Sequence, residues 1–293
     1  MGEEKEAIFR QKIYSKIEEL PTIPAVATKL LYTIDDERSS VSDVVELIQN
    51  DPSLTSKILK IANSAYYGFS REITKISQAV ALLGFNMVRS LVISLEVMKN
   101  LPSGIESEYF SPEGLWLHSV ATATCMENFR KKYPQKKNSD SAFIIGLLHD
   151  IGKIVLDQFF HEEFQKALHL ANGNPPMALH HAEEELIGLN HSEVAGMLLE
   201  RWKFPDEIVK PIANMHAKEM GEDVKIQDLA LLRISNSLAQ ETKIGKEGNS
   251  VPNTIKEKDL EILGIDESVL NDLRDELENS QERIGEFLGV IKG

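Results

Sequence analysis

A chain of 293 residues with 42% apolar and 27% charged positions can bury one large core or two smaller ones, and has the composition of a soluble globular protein. Its formal charge of −14 argues against a dominant nucleic-acid or anionic-membrane surface, because binding phosphate takes a concentrated basic face. One cysteine, Cys125, excludes an internal disulfide framework and a Cys-rich zinc module.

The chain begins Met-Gly-Glu-Glu-Lys-Glu, unlike a signal or transit peptide, and no apolar run approaches the roughly 20 residues that span a bilayer. The expectation is a cytoplasmic protein in a reducing compartment, with neither nucleic acid nor membrane as partner. Helical signals then follow in order. Ser40 to Asp43 has S-x-x-D capping spacing ahead of Val44-Val45-Glu46-Leu47-Ile48. Asp51-Pro52 reads as an N-cap and first helical residue, after which Leu54, Ile58, Ile61 and Ala62 draw one apolar stripe. The segment Asn100 to Glu108 marks a lobe boundary, and Ser111-Pro112-Glu113 opens the next helix. Lys131, Lys132, Lys136 and Lys137, with Pro134 and Asn138 among them, read as a solvated loop. Ala142 to Leu148 is apolar on all sides, the mark of a buried helix.

Past the polar stretch Gly245 to Asn253, two amphipathic patterns, roughly Ile255 to Leu263 and Glu267 to Leu288, predict a C-terminal helical hairpin. Period-two alternation never extends beyond a few residues, so the expected fold is all-α. The implied organisation is an N-terminal helical lobe over residues 1–105, a lobe over 106–245 that holds most of the histidines, and a C-terminal extension over 246–293.

Inside this pattern several polar residues point inward. The buried segment at Ala142 runs straight into His149-Asp150, then Ile151-Gly152-Lys153, carrying an imidazole, a carboxylate and an ammonium into the core. A carboxylate stripped of water must be paired, hydrogen-bonded or bound to a cation. His118 shares a stripe with Leu115, Cys125 and Phe129; His191 precedes Val194, Ala195 and Leu198; His216 follows Val209, Ile212 and Ala213. By contrast His161, His169, His180 and His181 sit among polar neighbours and read as surface. A single inward histidine is most simply a core imidazole, but donors converging from several helices suit a metal held within a bundle. Lys153, four residues after His149, either directs its ammonium at a bound phosphate or turns outward to pair with Asp157.

His118, His149-Asp150 with Gly152-Lys153, His191 and His216 together resemble the HD superfamily of metal-dependent phosphohydrolases. The phrases Leu20-Pro21-Thr22-Ile23-Pro24, Asp51-Pro52-Ser53-Leu54-Thr55, Ala62-Asn63-Ser64-Ala65-Tyr66-Tyr67-Gly68, Ile76-Ser77-Gln78-Ala79-Val80 and Leu83-Gly84-Phe85 are similar to successive signatures of HDOD domains, the HD-related output domains of bacterial signalling. His191-Ser192-Glu193-Val194-Ala195-Gly196 and Trp202-Lys203-Phe204-Pro205 fit the same family, so the likeness covers about residues 15 to 240. The resemblance implies an all-α HD-like core with an N-terminal lobe, and a role in signal transduction through a protein partner. It makes His118, His149, Asp150 and His216 metal ligands, His191 a further ligand or a phosphate contact, and Lys153 a phosphate contact. The metal would be a divalent transition ion, since imidazole and carboxylate donors suit iron, manganese, zinc and nickel alike.

Two departures separate the chain from catalytic relatives. Asn236 stands where HD hydrolases carry a late aspartate, and Met215 precedes His216 where two-metal relatives have paired histidines. Asn236 still points inward, with Leu229 and Leu232 on its face, and Asp228 is a remote substitute. Two functions therefore stand, ahead of a structural reading in which the polar cluster merely orders the core: a signalling protein that keeps a partial HD metal site, or a metal-dependent phosphohydrolase acting on a nucleotide or cyclic dinucleotide, with Asp150 and Lys153 as its catalytic residues.

Overall fold

The computed structural model describes residues 2–31, 41–101, 104–136, 139–217 and 224–292. Among them the chain is helical throughout, and an isolated antiparallel bridge between Phe110 and Glu247 takes the place of any sheet. The all-α expectation holds. The chain divides into two compact units, one formed by Thr22–Asn100 with Asn279–Gly293, the other by Met1–Pro21 with Leu101–Glu278.

The first of these is built from the helices Ala25–Leu31, Val41–Gln49, Pro52–Ala62, Ile76–Leu83, Phe85–Asn100 and Gln281–Lys292, of which Phe85–Asn100 is buried on all faces from Met87 to Val97. Asp51 caps its helix by accepting from the Leu54 amide at 3.0 Å, and Leu54, Ile58, Ile61 and Ala62 are all buried. The proposed cap at Ser40 to Asp43 lies outside the described side chains. Asn63 folds the loop that follows: its amide donates to the Ile73 carbonyl at 2.8 Å and accepts from the Ile73 N–H at 2.7 Å. The closing helix returns to this loop, with Phe287 against Tyr66 at 4.7 Å between ring centres.

The second unit has a long central helix, Pro112–Lys132, capped by the Ser111 hydroxyl, which accepts from the Gly114 amide at 3.0 Å. It is buried nearly all round rather than along one stripe, because neighbouring helices cover its several faces. Ala142–Leu148 packs so closely beside it that a Cβ on Gly146 would lie 2.6 Å from the Ala123 Cα. The first helix, Gly2–Glu19, is tied into this unit by Arg201, which donates to the carbonyls of Ile17, Glu18 and Leu20, and by the Trp202 indole on the Pro21 carbonyl at 2.9 Å.

Three features differ from the sequence expectation. The segment 1–105 is not one lobe, since residues 1–21 fold with the histidine-bearing unit. The stretch 246–293 is not one extension, because the pattern from Glu267 to Leu288 breaks into Glu267–Glu278 and Gln281–Lys292, which belong to different units. Ser280 sits at the break, where its carbonyl accepts from the Ile284 N–H and its hydroxyl from the Arg283 guanidinium. Lastly, Lys131 and Lys132 form the last turn of the long helix rather than a loop, paired with Glu127 and with Asp272 and Glu276; Lys137 and Asn138 lie outside the described residues.

Candidate metal centre

The buried helix Ala142–Leu148 ends at His149-Asp150, which form a tight turn before the next helix, Ile151–Phe159. The break moves Lys153 off the helical turn of His149. Lys153 is buried and donates to Asp150 Oδ2 at 2.7 Å and to Glu247 Oε2. It does not reach Asp157, whose carboxylate accepts from the Ile105 amide at 2.5 Å and sits 2.9 Å from His161 Nδ1. Gly152 permits the turn to press against the helix His191–Arg201, since a Cβ there would lie 1.9 Å from the His191 carbonyl oxygen.

Around Asp150 the imidazoles form two groups. On the closed side, His149 Nδ1 donates to the Gly146 carbonyl at 2.7 Å, which leaves Nε2 without a proton in the neutral ring. That nitrogen faces Asn236 Oδ1 at 3.2 Å and Asp150 Oδ2 at 3.4 Å. His118 Nε2 lies 2.8 Å from the same amide oxygen. Lone pairs facing each other repel unless a cation sits between them; an amide rotated by a half turn would instead offer its N–H groups to both rings. One donor atom each from His118, His149 and Asp150 falls within 4.8 Å of the others, all three residues buried.

On the open side, His191 Nδ1 lies 2.6 Å from Glu183 Oε2, the carboxylate–imidazole arrangement that orients metal-bound histidines. Its Nε2 stands 3.3 Å from Asp150 Oδ1 and 3.1 Å from His216 Nε2. His216 in turn stacks flat on His180, with centres 4.0 Å apart and planes 7° from parallel. The surface assignment of His180 is therefore corrected: its helix, Leu179–Leu186, turns that ring onto His216, while His169 and His181 stay exposed.

Electrostatics favours a cation here. Burial holds the His118 imidazolium off, to a pKa of about 4, and that of His180 to about 3; burial together with His191 and His180 keeps His216 well below the usual imidazole range. Burial alone would raise the Asp150 carboxyl, but His149 and Lys153 beside it hold it well below the ordinary carboxylate value. Two buried carboxylates, of Asp150 and Glu247, thus share one buried ammonium, Lys153, while a third, of Glu183, lies against His191. Asp150 Oδ1 has no hydrogen-bond donor at all. A divalent cation matches both the excess charge and the orphaned oxygen, so the donor set fits a metal.

His118, His149, Asp150, His191, His216 and Asn236 are thus brought together, with Lys153 behind Asp150 rather than in the open. Asp228 is placed elsewhere, accepting from the Ser139 amide at 2.8 Å. Glu183 and Glu247 were not among the sequence candidates; Glu183 reaches His191 from the preceding helix and Glu247 reaches Lys153 from a segment 94 positions on, and no local period signals either. A cavity of about 440 Å³ opens beside the site, lined by His180, His216, Asn236, Ser237 and Lys256 among others. Arg233, also at its wall, donates to the carbonyls of Asn214, Met215 and Ala217 and fixes the loop that carries His216.

The unit is helical and carries its His-Asp cluster at a helix-to-helix turn. The HDOD domain model matches residues 20–218, and the chain belongs to the HDOD family. It resembles an uncharacterised protein of Treponema pallidum, 25% identical over 205 residues, covering 70% of this chain and 39% of that one. It also resembles the uncharacterised YuxH of Bacillus subtilis, 27% identical over 138 residues, 47% of this chain and 31% of that one. The chain therefore spans well under half the length of either relative. The fold is shared with a proposed signal transduction protein of Marinobacter aquaeolei, with a TM-score of 0.82, 21% identity and coverage of 98% of this chain and 66% of that one. An HDOD domain protein of Geobacter sulfurreducens follows at 0.77, 21% identical, covering 94% and 98%. A proposed phosphohydrolase of Shewanella amazonensis gives 0.71, 24% identical, covering 95% and 97%. Among the described residues no single helix is long and apolar enough to cross a membrane.

Proposed function

We propose that this chain is a bacterial signal-transduction protein that works through contacts with a protein partner and holds a divalent transition metal in a partial HD centre. The observation that carries the metal is the excess of buried carboxylate over ammonium around Asp150, with an orphaned carboxylate oxygen and imidazole nitrogens of His149 and His191 within 3.4 Å of that carboxylate. His118, His149 and Asp150 would hold the ion, with Asn236, His191 and His216 at its edge, and iron, manganese, zinc or nickel would satisfy this donor set. When bound, the ion would supply a fixed positive charge able to polarise a water or phosphoryl oxygen.

Weak or absent hydrolysis follows from the residues themselves. Asn236 brings no charge and cannot serve as a base, and Lys153 is already shared between Asp150 and Glu247 rather than free for a phosphate. Metal analysis after reconstitution with iron, manganese, zinc and nickel in turn tests the reading; folded protein that takes up none of them refutes it. The second reading, a phosphohydrolase acting on a nucleotide or cyclic dinucleotide, is supported by the cavity that reaches His216 and Asn236. Robust turnover abolished by Asp150→Ala would make it the correct one.

A further inference from the structure

Glu247 is buried in the same unit as the centre, on the segment between the helices Ile226–Glu241 and Glu257–Leu263. Its carboxylate is satisfied entirely from within. Oε2 accepts from Lys153 and from Asn249 Nδ2 at 2.9 Å, and Oε1 accepts from Gln240 Nε2 at 3.2 Å. Both amides are fixed in the donating sense, because their oxygens are engaged by backbone N–H groups: Asn249 Oδ1 by Leu179 at 2.9 Å, and Gln240 Oε1 by Asn253 at 2.8 Å. The donors thus aim at one point whether or not a carboxylate fills it.

The segment's backbone is anchored independently of that carboxylate. Ser111 N–H donates to the Lys246 carbonyl at 3.0 Å, and the Asn172 amide donates to the Gly248 carbonyl at 2.9 Å. Gly245, at φ +92°, lies so close to the long helix that a Cβ would be 2.0 Å from the Gly114 carbonyl oxygen. Removing the Glu247 side chain would therefore leave Lys153, Gln240 and Asn249 where they are. A buried ammonium and two oriented amides around one point form an oxyanion pocket.

We propose that Glu247 is an internal ligand, whose carboxylate fills an oxyanion pocket made by Lys153, Gln240 and Asn249 and so keeps external carboxylates and phosphates away from Lys153 and the Asp150 centre. This deepens the reading of a centre that binds metal without hydrolysing phosphate, yet the pocket can be tested without any metal.

The experiment compares thermal unfolding of chelator-treated wild type, Glu247→Ala and Glu247→Ala/Lys153→Met in formate, acetate or inorganic phosphate, with chloride at matched ionic strength as control. Glu247→Ala is expected to melt lower than wild type and to regain about 5 °C in about 0.1 M formate or acetate, whereas the double variant and wild type gain nothing beyond chloride. Recovery by phosphate as well would show that the opened pocket admits phosphoryl groups; recovery by carboxylates alone would restrict its ligand class, and either supports the pocket. Absence of anion-specific recovery, or equal recovery in the double variant or wild type, overturns it. If Glu247→Ala aggregates, refolding in formate decides: soluble protein supports the pocket, and none at any concentration overturns it. Metal content is measured separately, so anion recovery in protein that never binds metal counts against the metal reading alone.

Discussion

Asp150 and Asp228 are both about 1% exposed, yet their surroundings drive them in opposite directions. His149 and Lys153 hold the Asp150 carboxyl far below its ordinary value despite burial, whereas at Asp228 burial wins and raises the pKa to about 6, against the help of the Ser139 amide and Lys225. Asp228 has one backbone donor for Oδ1 and none for Oδ2; Asp150 has an ammonium at hydrogen-bond distance and two imidazoles within 3.4 Å. Burial by itself does not make a functional carboxylate. What distinguishes Asp150 is that helices from different parts of the chain bring it charge and lone pairs together.

The sharpest way to break this comparison is Asp150→Ala. It leaves Lys153 with one carboxylate instead of two, and should cost about 3–5 kcal/mol together with the bound metal. Urea unfolding and metal analysis measure both; a variant as stable as wild type would show that the Asp150 cluster is no more demanding than the Asp228 corner. Next comes Gly152→Ala, which pushes a methyl group into the His191 carbonyl and should destabilise by about 2–3 kcal/mol while shifting His191 relative to Asp150. An unchanged denaturation midpoint would mean that the two helices can part freely there.

Asn236→Asp sharpens the contrast by adding a charge to the Asp150 side. Divalent-metal affinity should rise about tenfold in calorimetric titration, while the metal-free variant loses about 1–3 kcal/mol from an unpaired buried carboxylate. Equal destabilisation with and without metal would place Asn236 outside the ion's reach. The smallest effect belongs to Asp228→Asn. Because the folded pKa is raised from 3.8 to about 6, this carboxyl contributes stability below 3.8 that is lost as pH rises through about 6. The asparagine variant should therefore gain about 1 kcal/mol over wild type near neutral pH, an advantage that disappears toward pH 3.8 in pH-dependent unfolding. A pH-independent difference would contradict the assigned shift.

The parts legible from sequence were those governed by local chemistry. Asp51 and Ser111 cap helices where the S/D-x-x pattern and a following proline announce them, and the buried stripe from Leu54 to Ala62 needs only a period of 3.6. The inward direction of His118 and Asn236 followed from the same rule. Glu247, Glu183 and His180 escaped it. Glu247 lies in a polar stretch that reads as a linker, and its partner Lys153 is 94 positions away. His180 and Glu183 sit in Leu179–Leu186, whose charged composition resembles a solvated face although Glu183 is buried against His191. The expected turn-to-turn relation of His149 and Lys153 failed because the helix stops at His149-Asp150, and no residue type in the sequence marks that stop.

Arg233 and Asn236 lie three residues apart on one helix, the first gripping the carbonyls before and after His216, the second reaching His118 and His149. Two sides of the centre are consequently indexed to a single rod. An inserted or deleted residue between them would swing one relative to the other by roughly 100° and separate the His216 loop from the amide it accompanies. The spacing from Arg233 to Asn236 thus works as a gauge, set once and inherited by both groups that hang from it.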